Sequence, residues 1–170
     1  MKIEGYTFDF SMKGRVAILR GRLGRARYFR GHGVHSPYIY DIVRKVFMRH
    51  DLMEGDHALY EALLGAGIRK HDAVQLQNLA FHCHFERFSM RGEEADLRIV
   101  SRDVSRQDTL AIIADARLKG QTVVVLQPYA NVQRMMLCQT IVAQHRCTTV
   151  DKWGYLVVFN NHLPKQHFKI

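Results

Sequence analysis

The hydrophobic and polar positions change their pattern along the chain, from helical spacing in the first half to alternating strands and helices in the second. Near the start, Tyr6, Phe8 and Phe10 recur with a period of two, which predicts a short strand or hairpin arm. From Lys13 to Arg30, apolar residues near helical spacing are interleaved with arginines, which predicts a basic helix. Residues 1–30 are therefore predicted to form a basic N-terminal arm or helix.

Residues 31–90 are predicted to form a helical region. Ser36 is a favourable N-cap and Pro37 suits the first helical position, so one helix begins here. A second, short helix is predicted to end at Gly65 and Gly67, and a third to run from a capping box at Asp72 and Gln75 to about Phe88. The apolar face of the first helix has i, i+3, i+4 spacing and consists of Ile39, Ile42, Val43, Val46 and Phe47.

Residues 95–170 have the pattern of a Rossmann-like α/β sheet. The β-branched run from Thr122 to Leu126 is typical of a strand buried on both faces of a parallel sheet. Strand, helix, strand, helix and a closing pair of strands predict an α/β fold with a truncated Rossmann-like sheet, mostly parallel, with an antiparallel C-terminal hairpin. The other predicted elements are a strand at Leu97 to Val100, helices after Ser105 and Asn131, and strands at Cys147 to Lys152 and Gly154 to Asn160.

Length and composition favour a single domain over residues 1–170. The chain is 47% hydrophobic, which excludes a disordered protein. No apolar run approaches the ~20 residues of a membrane-spanning helix, and Met1 to Phe10 lacks the apolar core of a signal peptide. We therefore expect a cytoplasmic protein without a transmembrane segment.

The three cysteines and their neighbouring histidines do not indicate a metal site. Cys83, Cys138 and Cys147 have no metal-ligand spacing, so we interpret them as buried, reduced thiols. His82 and His84 flank Cys83, but helical neighbours two apart point about 200° away from each other and cannot converge on one ion.

The positive charge is concentrated near the N-terminus. Of the net charge of +9, residues 1–50 carry +8, from 11 basic and 3 acidic side chains. A basic segment with interleaved aromatics suits a polyanion such as nucleic acid, and it also suits an anionic membrane surface. The competing interpretation of the basic segment is a solvated helix face that packs on its own domain or on a partner subunit. For His32 and His35 the competing interpretation is that they brace the turn from Gly31 to Pro37. The candidate anion-binding residues are Arg15, Arg22, Arg25, Arg27, Arg30, His32 and His35.

Two segments resemble a family of small bacterial class I SAM-dependent methyltransferases. The sequence GHGVHSPYIYD, Gly31 to Asp41, resembles the HGVHSP opening of that family. Gly154 to Phe159, with Lys165 to Phe168, resembles its closing GLVFF-like strand and QHF-like tail. The order of elements from Leu97 to Phe159 also matches the fourth to seventh strands of that fold. The resemblance implies a methyltransferase-like sheet and S-adenosylmethionine (SAM) as the family's cofactor.

The departures from the family imply a shortened, degenerate member. The family holds SAM on a strand with a Gly-rich turn, and the stretch between Phe88 and Leu97 has no room for such strands. Where relatives carry acidic residues after the fourth and fifth strands, this chain has Ser101-Arg102-Asp103 and Gln127-Pro128-Tyr129. A single Asp cannot hold a metal or act as an acid/base pair. We therefore expect a non-catalytic binding or scaffolding module without a cofactor.

Two alternatives and one consequence remain open. An active methyltransferase would need an atypical SAM site near Gly65, Gly67 and Asp103, and a polyanion-binding protein would act through the basic arm. A sheet without its first strands would leave the Leu97 strand near an open edge, unless the Tyr6 to Phe10 arm or another subunit covers it. A homo-oligomer is therefore a further expectation.

Overall fold

The computed structural model describes residues 2–3, 6–7 and 36–170 of the chain. Strands β1 (Lys2–Ile3) and β2 (Tyr6–Thr7) pair as an antiparallel hairpin. Tyr6 thus lies in a strand, at the start of the strand or hairpin arm predicted from Tyr6, Phe8 and Phe10. Phe8, Phe10 and the predicted basic helix lie outside the described residues.

A helical region is followed by a sheet with two further helices. The helical region consists of α1 (Pro37–Ile42), continued by a π-helical segment (Val43–Phe47), α2 (Ala58–Gly65) and α3 (Lys70–His82). The remaining elements are β3 (Phe88–Ser89), β4 (Leu97–Val100), α4 (Arg106–Leu118), β5 (Thr122–Leu126), α5 (Val132–Gln144), β6 (Thr149–Asp151), β7 (Tyr155–Val158) and β8 (His167–Lys169).

The large sheet has six strands in the order β3-β4-β5-β7-β6-β8. Strands β3, β4 and β5 are parallel, β7 is antiparallel to both β5 and β6, and β8 is parallel to β6. All strands except β7 therefore point the same way, so the chain has a mixed α/β fold with a mostly parallel sheet. The predicted antiparallel hairpin is present as β6 and β7. Its reversed strand lies inside the sheet and not at the edge, because β7 pairs with β5 and β8 extends the sheet beyond β6.

Both faces of the sheet are covered by helices. Val124 and Leu126 of β5 pack in a core with α1, α2 and α3, whereas Val123 and Val125 pack in a second core with α4 and α5. Every residue of β5 is buried, as predicted for a strand between two helical layers.

The first helix begins as predicted. Ser36 is its N-cap, with its side chain accepting a hydrogen bond of 3.4 Å from the Ile39 amide, and Pro37 occupies the first turn. All five residues of the predicted apolar face are buried: Ile39, Ile42, Val43, Val46 and Phe47.

The third helix is shorter than predicted and starts earlier. Arg69, not Asp72, is its N-cap, and Asp72 instead forms an ion pair with Arg69 at 2.9 Å. The predicted continuation to Phe88 is wrong, because the chain turns at His84 with φ of 55° and enters β3. Asp96 stabilises this path, since its Oδ2 accepts hydrogen bonds from the Glu86 and Arg87 amides.

Strand β3 also alters the prediction of an open edge at β4. Phe88 pairs with Leu97, and Ser89 with Arg98, so half of β4 has a neighbour on that side. The β1–β2 hairpin forms its own two-stranded sheet and does not pair with β4 among the described residues.

Gly154 is required by the close approach of α3 to the turn between β6 and β7. A Cβ at Gly154 would overlap the Asp72 carboxylate, which is 1% exposed and held by Arg69. We expect Gly154→Ala to lower the free energy of unfolding by about 1–3 kcal/mol, because the Asp72 carboxylate cannot move away from the added methyl group without disturbing its ion pair with Arg69. Urea denaturation measures this change.

Gly65→Ala is the matched control. Nothing lies within 4 Å of a Cβ at Gly65, the last residue of α2. Ala has the higher helix propensity, so this variant should be unchanged or slightly more stable, by less than about 1 kcal/mol. Equal losses in the two variants would contradict this explanation.

Candidate functional site

The carboxyl ends of β4 and β5 and the N-termini of α4 and α5 meet at one edge of the sheet. Parallel β4 ends at Val100 and leads into α4, and β5 ends at Leu126 and leads into α5. In open α/β sheets, ligands bind in the crevice outside the carboxyl ends of the strands. This edge is therefore where a ligand site is expected.

Arg134, in the first turn of α5, ties the two strand ends together. Its Nη2 donates hydrogen bonds to the carbonyl oxygens of Val100 (3.1 Å), Ser101 (2.8 Å) and Leu126 (3.2 Å). The side chain is only 5% exposed. Sequence reasoning missed this contact, because an arginine at the start of a helix ordinarily points to solvent.

The Arg134 guanidinium is buried with one of its donors unused. Its Nε has no hydrogen-bond partner among the described residues. Burial lowers the pKa of the guanidinium, while the neighbouring Cys138 and Asp103 act in the opposite direction. Because arginine is not deprotonated in proteins, the group remains a buried cation.

A cleft of about 410 Å³ opens beside Arg134, between the N-termini of α4 and α5. We call it the arginine cleft, since Arg102, Arg106 and Arg134 all line it. The N-cap residues of both helices, Ser105 and Asn131, line it as well. The described residues around this cleft thus bring together three guanidinium groups and two helix N-termini.

Asp103 lies next to the arginine cleft, in the loop after β4. A hydrogen bond from the Ser101 side chain holds the pKa of this carboxyl below its usual range, and Arg134 and Arg102 act in the same direction. The Asp103 side chain is exposed to solvent, and its lowered pKa favours the ionised carboxylate. Within the described part of the chain, no group of three His, Cys, Asp or Glu side chains is placed to hold a metal ion.

The predicted glycines of an atypical SAM site form a helix end. Gly67 has φ of 75°, its amide donates to the Leu64 carbonyl (2.9 Å), and the Ile68 amide donates to Leu63 (3.0 Å), which is a Schellman-type C-cap. An added Cβ at Gly65 or Gly67 would meet nothing within 4 Å. The described residues do not fit SAM here, because no backbone cradle surrounds the glycines. Neither Gly65, Gly67 nor Asp103 lines the arginine cleft.

A second cavity, of about 210 Å³, lies on the other side of α5. Tyr129 lines it, stacks on Trp153 with ring centroids 4.7 Å apart, and donates a hydrogen bond to Asp151. Burial raises the pKa of the Cys138 thiol in its wall to about 12, so this thiol is not a nucleophile at neutral pH. The buried-thiol prediction is confirmed for Cys138, whereas Cys83 and Cys147 are partly exposed.

The residues predicted to bind an anion near the N-terminus all lie outside the described residues. They are Arg15, Arg22, Arg25, Arg27, Arg30, His32 and His35.

Comparisons of the chain with models of known families, with curated proteins and with solved structures find no match. Among the helices of the described part, none is long and apolar enough to cross a bilayer. The structure therefore defines the class of the protein as mixed α/β, with a mostly parallel six-stranded sheet.

Replacing Arg134 tests how much the sheet depends on it. We expect Arg134→Met to lower the free energy of unfolding by about 2–4 kcal/mol. Three carbonyl groups would lose their donor, and the relieved desolvation of the guanidinium would offset only part of that loss. Chemical denaturation monitored by circular dichroism measures the change.

Arg102→Met serves as the control for that experiment. Arg102 is exposed, so this variant should stay within about 0.5 kcal/mol of the parent chain. If Arg134→Met were as stable as Arg102→Met, the three hydrogen bonds would not support the sheet.

Proposed function

We propose that this protein is a non-catalytic binding module built on the back half of a class I SAM-methyltransferase-like sheet. The HGVHSP-like opening and the Gly154 to Phe159 segment support the relationship. The order β4, α4, β5, α5, β6, β7 is also consistent with the fourth to seventh strands of that fold.

The arrangement at the carboxyl ends of β4 and β5 carries this proposal. Where the family resemblance calls for acidic residues, the buried group is the Arg134 guanidinium, hydrogen-bonded to three backbone carbonyls. Asp103 is the one carboxylate in the loop after β4, and it is exposed. General acid/base chemistry needs a proton acceptor held against the substrate, and a guanidinium that stays protonated cannot accept a proton there.

Calorimetry with SAM tests the non-catalytic role. We expect no binding heat when SAM is titrated into the full chain up to millimolar concentration, because Gly65 and Gly67 form a helix end and the strand ends present arginines where the family resemblance calls for acidic residues. A micromolar dissociation constant would overturn the proposal. Loss of such binding in Asp103→Asn and Gly67→Ala would then identify the atypical cofactor site of an active methyltransferase.

Polyanion binding through the basic arm is a second candidate, favoured by the net charge of +8 within residues 1–50. Replacing Arg22, Arg25 and Arg27 together with alanine should weaken binding to single-stranded RNA. The slope of log affinity against log salt should fall by about 2, since each lost phosphate contact contributes ~0.7. Fluorescence anisotropy at several salt concentrations measures both effects.

A triple variant of equal charge change is the control. Arg87, Arg91 and Arg117 are exposed and far from the arm in sequence, and their replacement should have a smaller effect. If the affinity for RNA did not depend on salt concentration, or if both triple variants lowered it equally, the arm would have no specific role in RNA binding.

A further inference from the structure

The arginine cleft has the composition of an anion site. The described residues that line it include Arg102, Arg106 and Arg134 and no acidic residue. Each guanidinium presents donors in a planar fork that matches the oxygens of a phosphate. Three such groups around one cleft repel one another unless an anion lies between them.

Two helix N-termini open onto the same cleft. Helices α4 and α5 are each 13 residues long, and the N-cap side chains satisfy only one amide each, at Asp108 (3.1 Å) and at Arg134 (2.7 Å). The first turn of α4 already contains the Asp108 carboxylate, whereas the first turn of α5 contains no acidic residue. The remaining amides and the dipole of α5 therefore favour a negative group in the cleft.

Arg134 supplies an independent sign of a ligand. It is 95% buried and lines the cleft, yet its Nε has no partner among the described residues. Buried donors in folded proteins almost always have an acceptor. Its three carbonyl partners use one nitrogen, Nη2, so an acceptor in the cleft would complete the guanidinium.

The size and walls of the cleft indicate what else the ligand contains. A volume of about 410 Å³ exceeds what a bare phosphate ion needs and lies in the range of small-molecule sites. Val104, Leu137 and the exposed Met136 add apolar surface to its walls. An organic group can therefore pack there while the anion lies between the arginines.

We propose that the arginine cleft binds the phosphoryl group of a small organic phosphate. This inference rests on the proposed binding function, for which it names the ligand class. Arg102 and Arg106 contact the phosphoryl oxygens from the exposed side, and Arg134 contacts them from the buried side. Asp103, beside the cleft, limits the affinity, because its negative charge opposes the anion.

Amide NMR shifts of the ¹⁵N-labelled full chain, titrated with AMP, inorganic phosphate and adenosine, test this proposal. AMP and phosphate should shift the amides of Gln107 and Gln133, in the first turns of α4 and α5, with AMP binding more tightly. Adenosine should not shift them, since it lacks the anion. Absence of shifts at these two amides, or shifts confined to residues 13–35, would overturn the proposal.

A double variant provides the second readout. Arg102 and Arg106 are exposed, so Arg102→Ala with Arg106→Ala should leave the fold intact and weaken AMP binding roughly tenfold or more. Arg91→Ala with Arg117→Ala removes equal charge from exposed positions elsewhere and should change affinity less than about threefold. If the two double variants weakened AMP binding equally, general electrostatic attraction would account for the binding, and the proposed site in the arginine cleft would be wrong. The SAM titration tests the non-catalytic role and the AMP titration tests the phosphate site. A failure of one proposal can therefore be distinguished from a failure of the other.

Discussion

The fold depends on a cation that is buried without a carboxylate to pair with. The positive charge of Arg134 is stabilised by hydrogen bonds to three carbonyl oxygens, from Val100, Ser101 and Leu126. These oxygens belong to the ends of two adjacent strands, so the guanidinium fixes the spacing of the strand ends and of the loops that follow. Those loops lead into α4 and α5, and the same side chain also lines the arginine cleft. A carboxylate partner would have satisfied the charge and left nothing for a ligand.

A different set of polar contacts joins the helical region to the other face of the sheet. Gln75 is fully buried, donates to the Phe47 carbonyl at the end of the π-helical segment (2.6 Å), and accepts from the Tyr155 hydroxyl of β7 (2.9 Å). Asp72, one turn earlier on α3, lies against the turn at Gly154. Apolar packing supplies the driving force for this layer, and these polar contacts select one arrangement of it, since a buried polar group tolerates few alternative positions.

Local patterns predicted the elements whose stability is local. The N-cap Ser36, the helix after Ser105 and the fully buried strand β5 follow from neighbouring residues, and all three were predicted correctly. Strands β3 and β8 were not predicted, because two or three residues carry no periodicity and their pairing depends on distant partners. The arginine cleft was missed for the same reason. Arg102, Arg106 and Arg134 are scattered in the sequence, and only the parallel pairing of β4 and β5 brings them together.

The two-residue strand β3 gives one edge of the large sheet a blunt end. A long, flat edge would offer a row of main-chain donors and acceptors to any passing extended chain, which is how strand-by-strand aggregation starts. Phe88 and Ser89 offer almost none, and Ile99 and Val100 of β4, beyond them, are completely buried. A sheet whose β3 edge is blunted in this way can stay at high concentration without growing into fibres from that side.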